Sequence, residues 1–198
     1  MNIEEIRKNT STVASFASEY FKYLAHVLSQ IDIGEIEKFV QILVDARDRD
    51  ARVFFLGNGG SAATATHFAN DLAIGVGNSN KPFKAISLAD NVAAITAAGN
   101  DYGYDEIFMR QLKAQMVKGD VVVAISVSGN SPNVMKAVEW ANANGGITIG
   151  LTGFDGGRLR RTASHCVHVP TEKGEYGPAE DAHMVLDHLL YSYLLKRA

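Results

Sequence analysis

The chain has 198 residues, 46% of them hydrophobic and 21% charged, with 18 Gly and 4 Pro. That is the composition of one ordinary globular domain with enough apolar material for a buried core, and it excludes disorder and low-complexity architectures. Nineteen Lys plus Arg against 22 Asp plus Glu leave a formal net charge of −3 without a basic run, so neither nucleic acid nor membrane is expected as a partner. The lone Cys166 has no partner for an internal disulfide, the start Met1-Asn2-Ile3-Glu4-Glu5 does not read as a secretory leader, and the apolar runs are too short to span a bilayer. A cytoplasmic protein is expected.

From Ile3 to about Gln30 the residues Val13, Phe16, Tyr20, Leu24, Val27 and Ile31 recur at intervals of three and four, which predicts one long helix with an apolar stripe. A second helix is predicted from Glu35 to about Arg47, with Ile36, Phe39, Val40, Leu43 and Val44 inward. Strand, loop and helix units follow. The apolar runs Arg52–Gly57, Phe83–Leu88, Asp120–Ile125, Gly146–Leu151 and Cys166–Pro170 read as buried strands, and helices are predicted after the first three, the third opened by Pro132. A last helix is predicted from about Ala179 to Lys196. Trp140, Tyr191 and Tyr193 read as packing residues, and His165 and His168, flanking the fifth strand, as structural or rim residues.

Five buried runs alternating with helices predict a three-layer αβα sandwich around a parallel sheet. Right-handed crossovers favour the strand order 2-1-3-4-5, in which the direction of winding reverses between strands 1 and 3. Ligands of such sheets bind beyond the strand ends at that reversal, and both small-polar loops of the chain fall there. Ser126, Ser128 and Ser131 surround Gly129 just ahead of a helix, with no Lys or Arg in the loop. Hydroxyls and free backbone N–H groups at a helix start suit one monophosphate better than a polyphosphate with magnesium. The other loop, Gly57-Asn58-Gly59-Gly60-Ser61-Ala62, also fits a dinucleotide pattern at Gly57, Gly59 and Ala62. The acidic residue expected near the end of strand 2 is met only at Asp90, which is late, and a dinucleotide would leave the serine loop unused. No Walker A motif occurs.

Gly57-Asn-Gly-Gly-Ser61, His67-Phe68-Ala69, Gly99-Asn100-Asp101, Ser126-x-Ser-Gly-Asn-Ser131, Leu151-Thr-Gly-x-Asp-Gly-Gly157 and His183-x-x-x-x-His188 together resemble the sugar isomerase (SIS) family, and within it the phosphoheptose isomerases. The resemblance covers nearly the whole chain in order. It implies a single SIS domain over residues 1–198 with a flavodoxin-like core at 51–198 and oligomerisation helices at 1–50, a phosphosugar substrate, a homotetramer with active sites shared between subunits, and zinc or another divalent metal, one per subunit. It also implies roles: substrate binding at Asn58, Gly59, Gly60, Ser61, Asn100, Asp101, Ser126, Val127, Ser128, Ser131 and Glu180, and metal binding or proton transfer at His67, Asp71, Glu180 and His188. Asp71 stands where the family usually has Glu, Glu180 where it has Gln, and Val127 where it has Thr.

Aldose–ketose isomerisation moves a proton between C1 and C2 and another between the two oxygens, so it needs a base over carbon and a group that polarises the carbonyl. His67 and Asp71 are four residues apart and share a helix face; Glu180 and His188 are eight apart and roughly share another. Two histidines and two carboxylates can close around one divalent cation. A negative ligand at Glu180 would hold that cation more firmly, and either Asp71 or Glu180 could be the base, with His188 as its partner. The competing expectations are an isomerase for another phosphosugar and a non-catalytic SIS-domain regulator that binds phosphosugar or a replication initiator. The long stripe of the N-terminal helix separately predicts an oligomer.

Overall fold

The five apolar runs become β1 (Arg52–Gly57), β2 (Lys84–Ser87), β3 (Val121–Ser126), β4 (Ile147–Thr152) and β5 (His165–His168). They pair in parallel in the order β2-β1-β3-β4-β5 in a computed structural model that describes residues 2–76 and 81–195. Every residue of the central strand β3 is buried, as a strand covered on both faces must be.

Alternate side chains feed two cores. Val53, Phe55, Val123, Ile149 and Leu151 pack on one face with α1 (Ile3–Asn9), α2 (Val13–Ser29), α3 (Ile33–Asp48), α4 (Gly60–Asn70) and, last in the chain, α9 (Tyr176–Leu194). Phe54, Leu56, Val122 and Ala124 pack on the other with α5 (Val92–Tyr102), α6 (Ile107–Gln115), α7 (Pro132–Ala143) and α8 (Gly157–Thr162). The three-layer αβα class and the strand order are those read from the sequence. No helix among the described residues is long and apolar enough to cross a membrane.

The elements depart from the sequence reading in four places. The single N-terminal helix expected to Gln30 is two helices, because Thr12 caps the second: its Oγ1 accepts the Ser15 N–H at 3.1 Å while Ser15 Oγ accepts the Thr12 N–H at 3.2 Å. Two helices, α5 and α6, fill the space between β2 and β3, separated by Gly103 at φ 93° and a 3-10 turn at Tyr104–Glu106. The six-residue α8 was not expected. The last helix begins at Tyr176, three residues before the expected start, and Lys196, its expected end, lies outside the described residues. One further feature bears on the site. Helix α4 runs directly into a π-helical turn at Asp71–Gly75, closed by the Val76 N–H on the Asp71 carbonyl at 2.9 Å, and such single π turns concentrate at functional positions.

Candidate active site

The ends of β1 and β3 lie side by side, Gly57 opposite Ile125, and each strand turns at once into a helix start. Asn58 and Gly59 lead from β1 into α4; Ser126 to Ser131 lead from β3 into α7. A Cβ at Gly129, which has φ +61°, would stand 2.0 Å from the Gly156 carbonyl oxygen, and the Gly129 carbonyl accepts the Leu159 N–H at 2.9 Å. Glycine is required there because the turn after β3 is pressed against the turn after β4. The result is a cavity of about 150 Å³ lined by Asn58, Ser61, Ile125, Ser126, Val127, Ser128, Ser131, Tyr176 and Glu180. Among the described residues its wall has no Lys or Arg. Ser126 Oγ and Ser131 Oγ are 3.4 Å apart, and the starts of α4 and α7 leave backbone N–H groups without helical partners, so neutral donors converge on an anion-sized space. Val127 is buried and contributes backbone and bulk where a hydroxyl is absent.

Asn58 is fixed from two sides. It exchanges reciprocal amide hydrogen bonds with Asn133, each 2.9 Å, and its Oδ1 accepts from the Tyr104 hydroxyl at 2.9 Å. Glu180 lies close against the head of α4: a Cβ on Gly60 would meet its carboxylate at 2.4 Å. Burial, with Asp181 adding to it, pushes the Glu180 carboxyl above the ordinary carboxylate range.

Helix α4 carries a second cluster at its far end, about 10 Å along the axis from Gly60 at the rise of a helix. His67 Nε2 is 3.5 Å from Asp71 Oδ2, 3.2 Å from His188 Nε2 and 3.8 Å from Asp187 Oδ2. One ligand atom from each of these four residues lies within 4.8 Å of all the others. His188 is exposed and His67 partly so, whereas Asp187 is only 1% exposed and forms the floor. Burial, with Asp71 next to it, pushes the Asp187 carboxyl up to about 7, and its Oδ2 has no hydrogen-bond partner among the described residues. Two imidazole nitrogens bound to one tetrahedral zinc at 2.0–2.1 Å are roughly 3.3 Å apart, close to the spacing of the two rings here. Two imidazoles and two carboxylates around an orphaned buried oxygen therefore fit a divalent cation. His67 also lines an open cleft of about 620 Å³ running along α4, with Ala62, Ala63, Thr66, Asn70 and Ala89.

The structure thus brings the expected His67, Asp71 and His188 together, and brings Asn58, Ser61, Ser126, Val127, Ser128, Ser131 and Glu180 together elsewhere. The Glu180 carboxylate lies beside Gly60 at the head of α4, whereas His67, Asp71, Asp187 and His188 form the group at the other end of that helix. Asn100 and Asp101, near the end of α5, are exposed and outside the cavity wall, their side chains bonded to each other at 2.8 Å. Asp187 was not among the expected residues. The signal for it was present: inward positions His183, Asp187, Leu190 and Leu194 follow one stripe of α9, and a carboxylate on a buried stripe asks for a partner.

A family model described as "SIS domain" matches residues 19–153. The chain belongs to the SIS family. A phosphoheptose isomerase of Rhodospirillum rubrum is 43% identical to it over 139 residues, which is 70% of this chain and 73% of that one. One from Aneurinibacillus thermoaerophilus is 33% identical over 184 residues, 87% and 91% of the two chains. Among solved structures, a phosphoheptose isomerase from Neisseria gonorrhoeae superposes with a TM-score of 0.82 at 30% identity, covering 92% of this chain and 98% of that one. Within the SIS family, the chain therefore groups with proteins that carry the phosphoheptose isomerase name.

Proposed function

We propose that this SIS protein is an aldose–ketose isomerase that converts sedoheptulose 7-phosphate to D-glycero-D-manno-heptose 7-phosphate through an enediol. The observation that carries the reading is α4 itself, with a cation-free phosphate pocket at its first turn and a His/carboxylate cluster at its last. The names of the relatives supply the seven-carbon chain length.

In this reading the hydroxyls of Ser126, Ser128 and Ser131 and the N–H groups of the glycine loop at Asn58, Gly59, Gly60 and Ser61 hold the phosphate. Grip on a remote, unreacting group orients the carbons that react. Asp71 removes a proton from C1 and returns it to C2, while His188 takes the O1 proton and delivers it to O2, so the enediol forms and collapses without net change in protons. Asp71 is the base because it lies at the histidine end of α4, whereas Glu180 lies at the phosphate end and serves to place the substrate. His67, Asp71 and His188 would hold zinc or another divalent cation. When bound, such a cation supplies polarisation of the carbonyl oxygen. A homotetramer is part of the proposal: Asn100 and Asp101, exposed on their own subunit, meet the sugar bound to a neighbour. The place of action is the cytoplasm.

The test is incubation with sedoheptulose 7-phosphate and added zinc, followed by NMR for the aldose, beside Asp71→Asn. Formation of the aldose, with a loss of about 100-fold or more in the variant, is expected, in the range of a missing general base. An inert wild type would point instead to a phosphosugar-binding regulator, and an active variant would remove Asp71 from the role of base.

A further inference from the structure

We infer that Glu175 is a positioning residue for the phosphate pocket: its carboxylate ties the start of α1 and the middle of α2 to the start of α9, and so sets where Tyr176 and Glu180 stand in the cavity wall. This inference rests on the reading of that cavity as the phosphosugar site.

Three observations carry it. First, the segment that leads from β5 into α9 has little apolar anchorage. Thr171 is buried, as are Pro178 and Ala179, but of the six residues between them Glu175 is half-buried and the other five are exposed. Tyr176 lines the cavity and stands edge-on to Phe154 with ring centres 4.9 Å apart, so its place depends on polar ties and not on the core. Second, the Glu175 carboxylate gathers donors from three segments. Oε1 accepts the Ile3 N–H at 2.6 Å, and Oε2 accepts the Glu172 N–H at 3.2 Å together with the hydroxyl of the buried Tyr23. Hydrogen bonds to an ionised acceptor are the strong ones, and a buried tyrosine hydroxyl needs a partner. Glu175 occupies the cap position of α9 without a side-chain capping bond, where a short Ser, Thr, Asp or Asn would cap; its longer reach is spent across the fold, joining residues 172 and 152 positions apart in the chain. Third, a second tie lies on the other side of the same wall residues. The Tyr20 hydroxyl donates to Asp181 Oδ2 at 2.5 Å, and a Cβ on Gly177 would lie 3.6 Å from that hydroxyl. Glu175 and Asp181 thus bracket Tyr176 and Glu180, and α2 grips α9 through both. Loosening that wall weakens the hold on a remote, unreacting phosphate, which is felt in affinity before it is felt in the chemical step.

The experiment measures the dissociation constant of inorganic phosphate by phosphorus NMR, and kcat and KM for sedoheptulose 7-phosphate with zinc added, in the intact chain and in Glu175→Ala, Glu175→Gln, Tyr23→Phe and Ile3→Pro. Each protein is assayed well below its own melting midpoint, so that lowered stability alone moves neither constant. Glu175→Ala is expected to raise KM and the phosphate dissociation constant about tenfold, within the roughly 100-fold that a misplacement of about 1 Å can cost, with kcat much less affected. Tyr23→Phe and Ile3→Pro each remove one donor and are expected to shift both constants about threefold in the same direction, the worth of one hydrogen bond. Proline suits the first position of a helix and the extended Asn2 before it, so Ile3→Pro deletes the N–H and leaves α1 in place. Glu175→Gln is expected to recover most of the affinity, because its amide oxygen accepts from Ile3 while its NH2 group donates to the Tyr23 hydroxyl oxygen. Constants within about twofold of the wild type in Glu175→Ala, a loss confined to kcat, or a glutamine variant as impaired as the alanine one overturns the inference. If Glu175→Ala does not fold, wild-type constants in both Tyr23→Phe and Ile3→Pro overturn it. A wild type that binds phosphate but forms no aldose removes the isomerase reading and leaves the phosphate titration to decide the inference; a wild type that isomerises beside variants with unchanged constants removes the inference alone. A wild type that binds neither compound removes both.

Discussion

Asp187 and His183 stand one turn apart on the buried stripe of α9 and respond to acid with opposite sign. His183 is wholly buried, with Nε2 toward the Thr152 carbonyl at 3.3 Å and Nδ1 without a partner among the described residues; burial first of all pulls its pKa down to about 4. The unfolded chain takes up a proton there near pH 6.5 that the folded chain refuses, so this residue makes stability fall as pH drops from about 6.5 to about 4. The loss reaches at most about 3 kcal/mol. Asp187, raised from 3.8 to about 7 by burial and then by Asp71, holds in the fold a proton that the unfolded chain gives up, so its contribution is present below pH 4 and is lost as pH rises through 7. Urea unfolding of metal-free protein at pH 7 and pH 4.5 separates them: His183→Gln is expected to lose less stability on acidification than the wild type. An equal loss would place the acid-sensitive group elsewhere. At the phosphate pocket, Ser131→Ala is expected to raise KM for the phosphosugar about tenfold or more, the worth of one hydrogen bond to a charged group, with kcat much less affected. Steady-state kinetics decides it.

These residues also mark how far the sequence could be read. Three hydroxyls and a glycine ahead of a proline-opened helix suit a helix cap as well as a phosphate; that Ser126, Ser128 and Ser131 share one cavity wall with Asn58 and Glu180 is added by the structure. The interval of four gave the nearness of His67 and Asp71, now 3.5 Å apart, and no more than that. For Asp187 the sequence shows only a carboxylate on the buried stripe with His183, Leu190 and Leu194; that it faces His67 and Asp71 of α4 is set by tertiary packing. Helical spacing says which residues share a face but not which rotamer a long side chain takes, and the Glu180 side chain turns to the head of α4.

Among the elements, the tight joint between the turns after β3 and β4 governs the pocket. Gly129→Ala puts a methyl group 2.0 Å from the Gly156 carbonyl oxygen at a residue with φ +61°, so it is expected to destabilise the fold by about 3 kcal/mol or more and to abolish phosphosugar binding. Denaturant midpoints and ligand-induced shifts in melting temperature test both parts. Element boundaries followed local chemistry that apolar periodicity does not record. The apolar stripe begins at Val13 and so carries no information on the residues before it, where the reciprocal bonds of Thr12 and Ser15 start a new helix after Ile3–Asn9. The split between α5 and α6 turns on Gly103 at φ 93°. The π turn after Asp71 has no periodic signature either, since its one extra residue shows only in the bonding of Val76 to Asp71.

For the whole molecule, the strand order followed from five apolar runs and the handedness of crossovers, rules that leave few alternatives. What covers the outer helices is a matter of assembly. Tyr23 and Val27 of α2 are buried in the chain, but Val13 is 86% exposed and Phe21 68%, with Ile33 at 72% close by in sequence. Exposed apolar groups of that size are expected to be covered by further copies. Light scattering should give a mass above that of the monomer, and Phe21→Glu should lower it; a monomeric wild type would contradict an active site shared between subunits.

The wall of the phosphate cavity, built from hydroxyls, amides and one carboxylate, has a consequence for ionic strength. Mobile ions weaken attraction between full charges and act far less on short hydrogen bonds from neutral donors. A chain of net charge −3 moreover repels a dianion at long range, and dissolved salt relieves that repulsion. Capture of the sugar ester should therefore hold steady, or improve slightly, in concentrated potassium chloride, where a pocket built on arginine would let go.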